Sequence, residues 1–491
     1  MHRRTTMSPL LRCILAICWA CGGGVAMASG LTLTDLRLES GGRISVSMAW
    51  QHAWHISTGP ANHDAVWLFG KVRVGDEDWQ PLTLTAADLP ATTLLQTEVG
   101  ADRLGAMLIP APGTAGDVAA TRITLQPGIP LPQAPYEIRL YAIEMVAIPG
   151  GGYWLGDGTS HNTFAAPDGL PFYLDAEEEL PAGLLADTGQ YAPAGAIPAL
   201  YPKGVAPFYC MKYELSQAQY ADFLNTLSYT QQALRTTAAP DAASGTAALA
   251  IGPAQRSAIR IQQPGIAGVQ PAVYGLDLDG QTFNDVDDGQ HRACNFLTWD
   301  DLCAYLDWAG LRPMTELEYE KVCRGPAYPL PGEFAWGDTS VIDANTLAED
   351  GLATEHVLEQ GDATTGLASH GYAGPQGPLR CGFAAGIATG RTAAGAGYYG
   401  CMELSGNLWE QCVTVNAQGL AYTGALGDGV LDAQGQADTP GWPGADGAGF
   451  RGGGWNSGII PGFRDLAASD RFYAGLPSTA RRGTSGGRGC R

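Results

Sequence analysis

Apolar and polar residues alternate through the first third of the chain. In "RISVSMAW", Ile44, Val46, Met48 and Trp50 fall on one side and polar or small residues on the other. That period of two is the mark of a half-buried strand. "AVWLFGKVRV", "TRITLQ" and "YEIRLYAIEMV" continue it, separated by clusters of Gly, Pro, Asp and Asn. Short strands between turn signals predict a small all-β sandwich over residues 29–143. His52, His55 and His63 lie close together there. Positions 52 and 55 point to opposite faces of a strand, so a shared metal is not expected.

The pattern then changes period. In "SQAQYADFLNTL", Ser216 and Gln219 have capping-box spacing, and Tyr220, Phe223, Leu224 and Leu227 make one apolar face. In "TWDDLCAYLDWAG", Thr298 caps a helix whose face is Trp299, Leu302, Cys303 and Leu306, and Gly310 ends it. In "TELEYEKVCRG", Thr315 and Glu318 repeat the capping box and Gly325 is the stop. Residues 228–292, rich in Ala, Gly, Pro and Gln, read as an insertion between the first two helices. Beyond residue 326 the chain is loops and short strands. The expectation is an α+β unit over 144–491, following the β-sandwich.

Composition narrows the function. The chain has 491 residues, with 49 acidic against 28 basic and a formal charge of −21. No nucleic-acid partner is expected, because that binding needs a basic surface. Arg3, Arg4 and Arg12 precede or enter the apolar "CILAICWACGGGVAMA", and Ala26-Met27-Ala28 fits cleavage after small residues. Residues 1–28 therefore read as a signal peptide, with the protein exported to the periplasm or beyond the cell. No later segment is long and apolar enough to span a bilayer. Eight cysteines follow the leader, an even number that suggests disulfides in an exported chain.

Seven stretches occur in order: "MVAIPGGGYWLGDG", "YELSQAQYADFLN", "LTWDDLCAYLDWAGLRPMTELEYEKVCRG", "FAWGD", "YYGCMELSGNLWEQCV", "FRGGGWN" and "GGRGCR". Together they resemble the formylglycine-generating enzyme family, the sulfatase-modifying factors, over about residues 144–491. The resemblance implies a loop-rich fold related to C-type lectins, usually calcium-bound. In the enzymes, a strand R-G-(G/A)-S-(F/W) leads to two cysteines five residues apart. These bind copper and use oxygen to convert a substrate cysteine to formylglycine. Counting from Arg451, the serine position is Gly454 and the cysteine positions are Ser457 and Gly462. Neither residue supplies the thiolate that cuprous copper prefers. No copper and no formylglycine generation are expected. An oxidoreductase of the family using other residues is the alternative. Its iron-dependent branch needs a histidine cluster, and only five histidines lie beyond residue 60, with no H-x-x-x-H.

The resemblance also implies a Cys323–Cys490 disulfide. It implies a calcium loop in "MELSGNLWE", with Glu403 and Glu410 as side-chain ligands and Gly406 and Leu408 as carbonyl ligands. Asn345 resembles part of a second site. Asp428, Asp432 and Asp438 offer further hard ligands in a polar loop.

After "RGGGWN", Arg464, Arg471, Arg481, Arg482 and Arg488 concentrate positive charge near Phe463, Phe472 and Tyr473. They either pair with acids such as Asp465 and Asp470 or form a binding face; Arg488 reads as structural. As a face, Trp455, Asn456, Ser457, Phe463, Arg464, Arg471, Phe472, Tyr473 and Arg481 would take a protein or carbohydrate ligand. Some lectin-fold relatives of these enzymes are diversified by retroelements in a C-terminal repeat. The alternation of scaffold words with idiosyncratic residues is compatible with that. The reading is a catalytically degenerate binder; a surface-assembly protein is the remaining alternative.

Overall fold

The computed structural model describes residues 30–132, 134–385, 390–458 and 464–491, with the backbone alone at 14–15, 459–460 and 463. The architecture is α+β, with long loops. Its centre is an antiparallel run of seven strands. Their order is Arg312–Pro313, Gly489–Cys490, Phe208–Met211, Tyr136–Ile148, Asp64–Val74, Gly105–Pro110 and Leu95–Val99. A four-stranded sheet, Thr32–Leu38, Ile44–Trp54, Ala115–Pro127 and Leu84–Asp88, lies over part of it. Ile44, Val46, Met48 and Trp50 enter the core shared with Val66, Leu68, Ile138 and Leu140.

The central sheet is covered on both sides. Val66 and Leu68 face the core just named, while Ala65, Trp67 and Phe69 face a second, larger one. Two-sided burial is why "AVWLFG" reads as a continuous apolar run rather than an alternation. The strand Tyr136–Ile148 pairs with Asp64–Val74 from Tyr136↔Val74 to Val146↔Asp64. Its end pairs with Phe208–Met211. The boundary expected at 143/144 therefore falls inside one strand, and a single sheet joins the two segments.

Helix α1 is Gln217–Leu224, α2 Tyr229–Arg235, α3 Trp299–Trp308 and α4 Glu316–Arg324. All four start at a capping box, on Ser216, Ser228, Thr298 and Thr315. Helix α2 lies in the stretch read as an insertion, as does the hairpin Ile259–Gln263 with Val273–Leu276. That stretch is part of the main core: Ala248, Leu249, Ile259, Ile261 and Tyr274 pack with the α1 and α3 faces.

The expected Cys323–Cys490 bond is not formed. All eight cysteines from Cys210 to Cys490 are buried free thiols. Cys490 stands opposite Cys210 in the strand register, and Cys323 lies beside Tyr319 in the buried cluster.

Candidate functional site

The site rests on a frame of buried ion pairs. On α4, Glu316 and Glu320 point inward with no exposure. Arg451, closing the strand Ala448–Arg451, meets Glu316 at 3.2 Å and Glu320 at 2.8 Å. Arg471 meets Glu316 at 2.7 Å and also pairs with Asp187. Arg324 joins Glu320 at 3.2 Å and pairs with Glu333. These pairs hold the strand and the 465–474 segment on the same helix.

The chain turns sharply after Arg451. Gly452 has φ +84°, and a Cβ there would sit 2.5 Å from the Leu404 carbonyl oxygen. Only glycine accepts both constraints. Trp455 is driven into the core, its backbone N–H donating to Asn407 O at 2.7 Å and its Nε1 to Gly483 O at 2.9 Å. At the next turn Ser457 Oγ accepts from the Gly454 N–H at 3.0 Å, and the Ser457 carbonyl accepts from Gly371 N–H at 2.7 Å.

A cavity of about 240 Å³ opens beside Ser457. Four rings wall it: Tyr372, Trp409, Phe450 and Tyr473. Trp409 and Tyr473 meet edge to face at 4.9 Å between centroids. Polar lining comes from Asn456, Ser457, Asp465, Arg482 and Thr484. Burial pushes the Asp465 carboxyl up, and its hydrogen bond with Ser457 pulls it back in part. Asp470, behind it, is pushed up to about 6 by burial and contacts His161 Nδ1 at 3.1 Å. Among the described residues, no cysteine lines the cavity.

Of the nine residues expected on a binding face, three line this cavity: Asn456, Ser457 and Tyr473. Phe472 stands behind Tyr473, ring to ring at 4.8 Å. Trp455 is core. Arg471 is a correction: it is 1% exposed and spent on Glu316 and Asp187, so it is structural. Arg481 is another, with its guanidinium on Asp301 at 2.9 Å and Leu234 O at 3.1 Å. Arg464 is exposed away from the cavity lining, reaching Gly332 O at 3.3 Å. The side chain of Phe463 and all of Gly462 lie outside the described residues. The sequence reading missed Tyr372, Trp409, Phe450 and Thr484. Trp409 had a signal, since it directly precedes Glu410 in "GNLWE", but tryptophan there reads equally well as core.

The expected calcium loop is wholly buried at its acids. Glu410 Oε1 receives Arg488 at 2.5 Å, and Glu403 Oε1 receives the Gly382 N–H at 2.9 Å. The other oxygen of each, Glu403 Oε2 and Glu410 Oε2, is buried without a hydrogen-bond partner. Burial pushes Glu403 up to about 7. Glu214 accepts from the Leu408 N–H at 2.9 Å and from Asn407 Nδ2. Each of these acids thus keeps one carboxylate oxygen that a hard cation could take, with Arg488 already balancing one charge, but among the described residues they do not belong to a group of three converging acids.

Asn345 is exposed and its backbone N–H donates to Glu359 at 3.2 Å; among the described residues, the groups of three converging acids lie elsewhere. Asp428 and Asp438 converge with Asp307, which the sequence reading missed, while Asp432 turns back onto its own loop. Asp307 is already satisfied by the Asp428 and Asp438 N–H groups, both at 3.0 Å, and by Thr439 Oγ1 at 3.0 Å. His55 and His63 pack with ring centroids 4.7 Å apart, each with Nδ1 on a backbone carbonyl.

The sequence profile of the sulfatase-modifying factor enzyme 1-like domain matches residues 137–474. The chain belongs to that family. The match starts inside the strand Tyr136–Ile148 and takes in the frame, the buried-acid loop and the Ser457 turn. No curated protein matches the chain. Among the described residues, no helix is long and apolar enough to cross a membrane.

Proposed function

We propose that this sulfatase-modifying-factor-family protein is an exported binder. Its cavity takes a ligand with an apolar ring face and a hydroxylated edge, a pyranose of a glycan, and it does not generate formylglycine. The supporting observation is Ser457, a hydroxyl on the cavity wall at the position where the enzymes have a copper-binding thiolate. A hydroxyl is a hard, weakly acidic group and does not hold cuprous copper. Aromatic rings stack on the C–H face of a sugar, and Asn456, Ser457, Asp465 and Thr484 supply donors and acceptors for its hydroxyls. The volume suits one ring rather than an extended peptide. Calcium held by Glu403 and Glu410, with the Gly406 and Leu408 carbonyls, would brace the loop that carries Trp409.

A second reading has a specific observation in its favour. Nine of the twelve cavity-lining residues come from Asn456 to Ser485. A wall drawn so largely from one C-terminal segment is what a retroelement-diversified surface requires, since one short stretch of codons then controls the ligand.

Glycan-array screening followed by calorimetry tests the main reading. Tyr372 is 73% exposed on the rim. Tyr372→Ala should weaken a bound saccharide by about tenfold, with thermal stability unchanged. Absence of any saccharide ligand, together with conversion of a C-x-P-x-R peptide in the presence of copper and oxygen, would overturn it.

A further inference from the structure

Cys210 and Cys490 face each other across the antiparallel pair of Phe208–Met211 and Gly489–Cys490. One residue along, Tyr209 and Arg491 exchange both backbone hydrogen bonds, each 2.7 Å. In an antiparallel ladder the two kinds of pair alternate, so Cys210 and Cys490 form a non-hydrogen-bonded pair. That is the closer kind, with Cα atoms about 4.5 Å apart. Disulfides span Cα separations of about 4.4–6.8 Å, so the strand register alone brings the two within bonding reach. Both side chains have 0% exposure and share one buried cluster, where the Cys210 thiol donates to Met211 O at 3.5 Å. Cys401 lies in the same buried cluster and also neighbours Cys210.

We propose that Cys210 and Cys490 are a disulfide-forming pair that ties the C-terminal strand to the centre of the sheet, with Cys401 left as a thiol. The strand Gly489–Cys490 is two residues long, so backbone pairing alone holds it weakly. It nevertheless anchors Arg488, which reaches Glu410 at 2.5 Å and Met402 O at 2.7 Å. Three residues earlier, Ser485 lines the cavity. A covalent tie at Cys490 therefore holds the cavity wall.

The oxidant is a disulfide, either a small one such as oxidised glutathione or that of a thiol oxidoreductase. One cysteine thiolate attacks a sulfur of the oxidant and expels its first thiol. The second cysteine thiolate attacks the mixed disulfide and expels the second. Two protein thiols thus give up two protons and two electrons, and the oxidant disulfide becomes two thiols. The exchange takes place before the C-terminal strand docks, because the docked sulfurs are closed to any oxidant.

The test is peptide mapping. The full chain is refolded in a buffer of oxidised and reduced glutathione, unfolded in an alkylating denaturant without reductant, digested and weighed. One linked peptide pair is expected, containing Cys210 and Cys490 and two hydrogens lighter than the separate peptides. Cys294, Cys303, Cys323, Cys381, Cys401 and Cys412 should all be alkylated. In the folded protein the linked pair should resist reduced glutathione at least about tenfold longer than in denaturant, because access controls exchange. Alkylation of both Cys210 and Cys490, or a bond from either to Cys323 or Cys401, would overturn the inference. Cys490→Ser serves as a control, abolishing the linked species.

Discussion

Replacing Arg471 by alanine separates a binding arginine from a structural one. Its guanidinium contacts Glu316 at 2.7 and 3.0 Å, pairs with Asp187, donates to Asn162 O at 3.0 Å and Tyr191 O at 2.9 Å, and lies 3.7 Å over the Phe164 ring. Arg471→Ala leaves Glu316 buried with only Arg451 at 3.2 Å and the Val415 N–H at 3.0 Å. Removing one partner of a buried pair costs about 3–5 kcal/mol, which at about 2 °C per kcal/mol lowers Tm by about 6–10 °C. The pH dependence adds a signature. Burial pushes the Glu316 carboxyl up, but Arg471 and Arg451 pull it down further, leaving it below the ordinary 4.5. A depressed folded value stabilises the protein above the unfolded value, and that stabilisation disappears as pH falls through the folded one. At Asp187 burial outweighs the same arginine and the carboxyl stays high. The stability gap between wild type and variant should thus be widest near neutrality and narrow below about pH 4. Differential scanning calorimetry from pH 3 to 8 reads both effects. A Tm change under about 1 °C at pH 7, with saccharide binding lost, would refute the structural assignment and return Arg471 to the ligand face.

Three further outcomes are expected. Gly452→Ala combines a left-handed φ with a clash against Leu404 O, and should cost about 1–3 kcal/mol in chemical denaturation. Lys71 is buried, donates to Trp308 O at 2.7 Å and Gly429 O at 2.6 Å, and is pushed down to about 7 by burial. The unfolded chain therefore binds more protons from pH 7 to 10, so the wild type should gain stability relative to Lys71→Met across that range; a flat difference would contradict the shift. Calcium at a hundredfold excess over its Kd should stabilise the protein by about 2.7 kcal/mol, and Glu403→Gln should abolish that gain in thermal melts with and without chelator.

Local chemistry was legible in the chain. Ser216, Thr298 and Thr315 announced three helices because a capping box closes its hydrogen bonds within four residues. The missed helix α2 carries the same signal, Ser228 with Gln231, but lies in a stretch whose Ala, Gly, Pro and Gln content suggested an insertion. The face of Ile44, Val46, Met48 and Trp50 followed from the pleat alone. Ser457 was singled out by its place in the motif, and Asn456, Ser457 and Tyr473 do line the cavity.

Partners were another matter. Arg471, Arg481 and Arg482 look alike in sequence, yet the first two are held by Glu316, Asp187 and Asp301, and only Arg482 lines the cavity. The difference depends on carboxylates 155, 284 and 180 positions away. Cys490 stands opposite Cys210 in the register for the same reason: strand register, set by the whole sheet, chooses the neighbour. Hydrogen bonds within a turn and the period of a strand depend on adjacent residues, so the sequence by itself determined the capped helices, the buried strand faces and the loss of both thiols from the Ser457 and Gly462 positions. Which charges are neutralised, which thiols meet and which rings enclose the cavity depend on contacts between distant segments, and only the tertiary structure decided them.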